Sequence, residues 1–337
     1  MATYKEIRGT QIEAVATDPS NPVEGQVWYN TTSNVLKGQA ATGAAAWSSG
    51  GNVNTSSKAG AGFGTATAAI KAGGNTAKPG VAITLNTELY NGSNWTEVNN
   101  LNTNRYAQAG TGTPTAGIVA GGDTPPKSAA TELWNGTNWT EVNDLNSARY
   151  LSAMAGADST AALYIAGYEY PGPGAAVVLV ESWNGTNWTE TTDINTARFG
   201  VPAVGTQTNA LAFGGGGTPD KSTVTEVWNG SNWTEVNDLN TARYEAAGAG
   251  IYTSAICIGG MVPGSPPETS TGKTEEWNGT NWTESADLST ARWSLYSSSS
   301  SSSSATASAG ENLPAISNST EEWLAAGTAL TRTFTDS

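Results

Sequence analysis

The chain has 337 residues, with 15 basic residues against 29 acidic ones, no histidine and one cysteine. A net charge of −14 disfavours nucleic acid and anionic membrane surfaces as partners. The lack of histidine excludes Ser-His-Asp and Cys-His triads and histidine-based zinc sites, and a lone cysteine excludes an intrachain disulfide.

Taken in chain order, residues 1–15 lack the apolar core of a secretory signal, and no apolar run approaches the roughly 20 residues that span a bilayer. Residues 1–40 are expected to form an extended arm, followed by a repeat region over 41–337. Residues 47–55, W-S-S-G-G-N-V-N-T, align without a gap on residues 95–103, so they match the last strand of a repeat that no local earlier strands precede. From there on a hexapeptide, W-N-G-T-N-W or a close variant, begins at Tyr90, Trp134, Trp183, Trp228 and Trp277. Its second tryptophan recurs at intervals of 44, 49, 45 and 49 residues. A period near 45 residues is the signature of a propeller or a solenoid.

The copy over residues 195–240 shows the unit most clearly. Four short stretches (199–205, 210–213, 224–228 and 233–236) are separated by Gly, Asn, Pro and Thr clusters, and none carries a helical period. They read as four strands, a to d. Between c and d, Gly136-Thr137 fits a type II′ hairpin turn, which sets Trp134 opposite Trp139. Strand d carries Thr and Glu, as an exposed outer edge requires, which places the small-residue strand a innermost.

Repeats start near residues 55, 103, 147, 196, 241 and 290. Each start carries a basic residue: Arg105, Arg149, Arg198, Arg243 and Arg292, with Lys58 in the corresponding place of the first copy. Strand c carries Glu88, Glu132, Glu181, Glu226, Glu276 and Glu322, so each basic residue is expected to pair with a carboxylate between blades. The expectation is therefore an all-β, six-bladed propeller of four-stranded blades. The last copy lacks its hexapeptide, and eight serines at 297–304 stand in its a–b region as a flexible connection. Either 47–55 closes the last blade, the preferred reading, or 330–335 completes it. Cys257, in an apolar strand b, reads as a buried small hydrophobe.

The order R-x-small-apolar, apolar-G-G, E-x-W, then W resembles the kelch repeat. Its glycine pairs are Gly73-Gly74, Gly121-Gly122, Gly214-Gly215 and Gly259-Gly260, with Ala166-Gly167 and Ala309-Gly310 departing from them. The resemblance covers residues 55 to 323 and implies a β-propeller, with no activity attached. A second segment, D-P-S-N-P-V-E-G-Q-V-W-Y-N-T-T-S-N-V-L-K-G at 18–38, resembles an N-terminal segment of tailed-bacteriophage structural proteins, especially marine phage tail-fibre and appendage proteins.

Kelch-like galactose oxidases need histidine and a cross-linked cysteine, which this composition does not supply. Sialidase propellers need an arginine cluster, but here each arginine occupies the same repeat position, as a structural ion pair does. No catalytic residue, metal or cofactor is expected, and the chain is read as not an enzyme. The b–c loops differ between copies while the rest stays nearly constant, which marks them as a binding surface. Asp123, Lys127, Tyr168, Tyr170, Asp220 and Lys221 are the candidate ligand-binding residues, the two tyrosines as platforms for a sugar ring. The resemblance implies a virion protein, a tail-fibre or appendage subunit. Its arm would dock on other virion proteins and its propeller would contact host surface glycans, with homo-oligomerisation left open. A capsid decoration protein is the alternative, and a polysaccharide-acting enzyme a third.

Overall fold

The computed structural model describes residues 12–334 apart from 21, 24, 42, 125–126, 170–174, 218–221, 264–268, 299, 313–314 and 328. The chain forms two compact units, one of Met1–Ala45 with Leu324–Ser337 and one of Ala46–Trp323. This division differs from the expected boundary at 40/41, because the C-terminal strand joins the N-terminal segment.

The smaller unit corrects the expectation of an extended arm. Glu13–Val15 pairs in parallel with Val27–Asn30, which forms an antiparallel hairpin with Val35–Ala41, and that strand pairs with Ala329–Phe334. The hub is Asp18. Its carboxylate accepts hydrogen bonds from Trp28 Nε1 at 3.0 Å, Asn30 Nδ2 at 2.7 Å and Lys37 Nζ at 2.6 Å. These bonds, Lys37 first, hold the Asp18 carboxyl down at about 2. Residues of the phage-like segment thus meet at one carboxylate, with Trp28 fully buried.

The larger unit contains six four-stranded sheets. The first five consist of Ala61–Thr65, Ala68–Ala72, Thr87–Tyr90 and Trp95–Val98; Ala109–Thr113, Ala116–Ala120, Thr131–Trp134 and Trp139–Val142; Ala153–Asp158, Ala161–Ile165, Val180–Trp183 and Trp188–Glu190; Ala203–Gly205, Ala210–Phe213, Thr225–Trp228 and Trp233–Val236; and Ala247–Ile251, Ser254–Ile258, Thr274–Trp277 and Trp282–Glu284. The sixth orders Tyr296–Ser297, Ser304–Ser308, Thr320–Leu324 and, as its outer strand, Ala46–Gly50. This arrangement is that of a β-propeller. Within the serine tract Ser297 ends strand a and Ser304 opens strand b, with Ser297 Oγ bonded to Gly248 O at 2.7 Å and Ser254 Oγ to Ser302 Oγ at 2.7 Å. Among the described residues of the tract these strands and bonds replace the expected flexible connection.

In the c–d turn Trp134 lies opposite Trp139, with Gly136 at φ +91° and Asn135 N donating to Asn138 O at 3.2 Å. A positive φ at Gly136 without one at Thr137 excludes the type I′ alternative. Asn135 Oδ1 also accepts from the backbone N–H groups of Thr137 and Asn138, which is why asparagine recurs there. The second tryptophan of each turn faces the preceding sheet. Trp139, Trp188 and Trp282 donate to the hydroxyls of Thr87, Thr131 and Thr225 at 3.0–3.1 Å. Strand c of the third sheet starts with Val180 in place of threonine, and Trp233 bonds the Thr192 carbonyl at 3.2 Å instead.

The arginines are fully buried and paired, but within a blade rather than between blades. Arg149–Glu181, Arg198–Glu226 and Arg292–Glu321 meet at 2.8 Å, and Arg105 pairs with Glu132 and Arg243 with Glu275. The guanidinium also donates to two carbonyls, Gly214 O and Val224 O for Arg198, and Asn195 donates to the second oxygen of Glu226. Two expected partners are corrected: the fifth and sixth sheets use Glu275 and Glu321, not Glu276 and Glu322. Strand alternation explains this, since the residue two before the buried tryptophan shares its inward face. Lys58 is corrected as well. It lies opposite Asn75, as Tyr106 lies opposite Asp123, so Ser57 occupies the arginine position. The first sheet places Lys71 from strand b against Glu88 at 3.3 Å, both fully buried. Burial pushes the Cys257 thiol up to about 12, as expected of an inert core residue.

Candidate functional site

At each repeat start the residue after the buried arginine pairs with the b–c loop. Tyr106 pairs with Asp123, Tyr150 with Tyr168, Phe199 with Gly216, Tyr244 with Met261 and Trp293 with Glu311. Strand entries and b–c loops therefore share one face of the propeller. Five aromatic residues and Lys58 occupy this one repeat position, and all six are half-buried. They form a collar. Tyr168 lies between two of its members, 5.4 Å from the Tyr150 ring and stacked on Phe199 at 4.2 Å, and Tyr244 meets Phe199 edge-on at 5.6 Å.

The next residue of each repeat lies inside the collar. Ala59, Ala107, Leu151, Gly200, Glu245 and Ser294 all have φ between +48° and +57°. Each donates its N–H to the carbonyl of the preceding one at 2.5–2.9 Å, and Ala59 donates to Ser294, so six backbone hydrogen bonds close a ring. The left-handed conformation costs an L-residue roughly 1 kcal/mol, which the ring of bonds offsets. Within it lies a cavity of about 90 Å³, lined by the ring residues together with Gln108, Ser152 and Val201. Glu245 is the one charged residue of the ring, and Ser294 Oγ donates to its carboxylate.

Charged groups occupy the collar. Lys58 lies 4.8 Å from the Trp293 ring centroid, and Glu311 accepts from both Lys58 and Lys78. Desolvation lowers the Lys58 ammonium from its ordinary range, opposed by Glu245. On the neighbouring repeat Asp123 pairs with Lys127, which lies 4.3 Å over the Tyr150 ring, and accepts from Tyr106 Oη at 2.9 Å. Burial, and then that bond, raises the Tyr106 hydroxyl.

Of the residues expected to bind ligand, the structure thus brings Asp123 and Lys127 together, with Tyr168 in the same aromatic row. Tyr168 is not a free platform: one ring face is covered by Phe199, and it borders a separate cavity of about 270 Å³ with Thr196, Ala197 and Gly217. Tyr170, Asp220 and Lys221 lie outside the described residues.

No family model matches the chain, and no curated protein matches it. Among solved structures the chain is similar to that of YjhT, with a TM-score of 0.65 and 10% identity over 83% of this chain and 99% of that one. At that identity the likeness shows the fold: a β-propeller. It also corrects one expectation. The reading of the chain as not an enzyme no longer stands, since a propeller shared with YjhT gives no ground for excluding catalysis.

Two features of this face stand in the sequence apart from the b–c loops. The aromatic after each arginine was on view as R-Y, R-Y, R-F, R-Y and R-W. Glu245 breaks the repeat at a position otherwise held by Ala, Leu, Gly and Ser. Both lie in the nearly constant strand entry, outside the variable b–c loops.

Proposed function

We propose that the chain is a virion structural protein, a tail-fibre or appendage subunit whose six-bladed, kelch-like propeller binds a saccharide of the host surface on its loop face. The observation that carries the binding role is the collar of Tyr106, Tyr150, Phe199, Tyr244 and Trp293, half-buried at one repeat position around the axial ring. A core tryptophan such as Trp134 is closed off from solvent, whereas these rings keep part of their area available. Aromatic rings flanked by paired charges suit sugars, which offer an apolar face and a rim of hydroxyls. Six sheets and a six-membered ring support the blade number. The virion assignment rests on the phage-like segment at 18–38, whose conspicuous residues converge on Asp18.

The test is adhesion of the full chain to susceptible bacteria, with the Tyr244→Ala, Trp293→Ala double variant as control and antibody labelling of particles for position. Binding lost in the folded double variant, with label on an appendage, supports the proposal. Label on the capsid with no binding to cells or saccharides makes decoration the better account. Release of new reducing ends from a bound polysaccharide would show an enzyme.

A further inference from the structure

We propose that the cavity of about 270 Å³ between the third and fourth repeats is a subsite for one neutral 6-deoxyhexose unit of the host saccharide; this rests on the saccharide reading above. A break in the repeat opens it. Arg149 pairs with Glu169 and Arg198 with Gly217, so Gly217 stands where the third repeat has Glu169. In the third repeat that glutamate accepts from Ser147 Oγ at 2.6 Å. In the fourth, Thr196 follows Asn195 as Ser147 follows Asn146, but it has a glycine in place of the carboxylate. Its hydroxyl has no partner among the described residues. Thr196 and Gly217 both line the cavity, and a Cβ at Gly217 would lie 2.7 Å from the Ala197 carbonyl oxygen, so the place stays without a side chain.

The rest of the lining sorts into two kinds. Ala175, Ala176, Ala197 and the Phe199 ring are apolar, and the hydroxyls of Thr196 and Tyr168 are the polar side-chain groups. Tyr168 lies between Tyr150 and Phe199, at 5.4 and 4.2 Å, so it gives the cavity its hydroxyl and edge rather than a stacking face. No charged side chain lines the cavity, and Glu169 beside Tyr168 is taken by Ser147. An acidic or amino sugar would lose water there without a counter-ion. A sugar hydroxyl set among the alanines would be stranded as well. A 6-deoxyhexose meets both demands. Its methyl group replaces the hydroxymethyl group and suits the alanines and Phe199, while its ring hydroxyls bond Thr196 Oγ1 and Tyr168 Oη. The size agrees, since cavities for larger ligands run from about 300 Å³ upward.

The experiment is ligand-detected NMR titration of the full chain with two matched pairs, L-rhamnose against L-mannose and L-fucose against L-galactose, which differ within each pair only in the 6-hydroxyl. At least one deoxysugar should bind about tenfold more tightly than its counterpart, the discrimination expected of one stranded hydroxyl. Ala175→Leu, at an exposed residue, should fill the cavity and abolish that binding. Thr196→Val keeps the shape, removes one hydroxyl and should weaken binding about fivefold. No preference for the deoxysugar in either pair, no binding of any of the four sugars, or binding unchanged in either folded variant overturns the subsite. The adhesion test of the collar is read separately. Adhesion without deoxysugar binding fails the subsite alone and leaves the saccharide reading standing. Deoxysugar binding lost in the Ala175 variant, with no adhesion to cells, upholds the subsite and fails only the host-surface reading.

Discussion

Trp47 donates its indole N–H to the Thr274 hydroxyl at 3.0 Å, across 227 residues of sequence, and its ring lies 5.3 Å from that of Trp323. Trp95 makes the same bond to Thr320 at 2.9 Å. Those two bonds join the fifth sheet to the sixth and the sixth to the first, as Trp139–Thr87 joins the second to the first. The strand Ala46–Gly50 therefore does in the sixth sheet what Trp95–Val98 does in the first.

Removing residues 1–55 should strip that outer strand and leave Thr320–Leu324 as an unpaired edge, with a large drop in melting temperature and aggregation. Trp47→Ala alone should cost about 2–4 kcal/mol, since a half-buried indole leaves both a gap and an unbonded hydroxyl. Calorimetry of the three chains decides; equal melting temperatures for the full chain and 56–337 would refute this role of the strand.

Asp18 gives the smaller unit an acid sensitivity. Its folded value of about 2 lies below the ordinary 3.8, so its contribution is full above pH ~4 and is lost as pH falls through ~2. The Trp28 indole N–H resonance should titrate with a midpoint near 2, and Asp18→Asn should remove that step. A midpoint near 4 would show that the hub does not hold the carboxylate.

The glycine pairs after strand b should tolerate change unequally. Gly121 has φ +66°, and a Cβ there would overlap the Tyr164 hydroxyl and come within 2.6 Å of the Arg149 carbonyl. Gly121→Ala should cost about 2–4 kcal/mol from strain and overlap together. Ala166 already holds φ +57° at the equivalent place, so Ala166→Gly should change stability by less than about 1 kcal/mol. Urea unfolding of both variants measures the contrast.

The propeller was legible because tryptophans at fixed intervals demand one hairpin register, and Trp134 opposite Trp139 satisfies it. The carboxylate partners were less so. T-E-E-W offers two glutamates, and only the alternation of the strand tells Glu275, which is buried, from Glu276. Lys71 escaped the repeat altogether, since it reaches Glu88 from a neighbouring strand and not from the arginine position. Gln108 was illegible for a similar reason: its burial, with an Oε1 that has no partner among the described residues, depends on what the fold places beside it.

The Arg198–Glu226 pair carries the sharpest test of the repeated arginine. Both side chains are buried, and burial lowers the Arg198 guanidinium from its ordinary range while Glu226 opposes the shift. Arg198→Ala leaves Glu226 without its cation and two carbonyls without donors, and should cost about 3–5 kcal/mol. Arg198→Met with Glu226→Leu removes both charges and keeps most of the volume, so it should cost less than the sum of the two single changes. The shortfall in a double-mutant cycle, read from urea unfolding, is the penalty of stranding one charge. Additive losses, or a cost below about 1 kcal/mol for Arg198→Ala, would place the pair in solvent and end its claim to hold the blade entry in place.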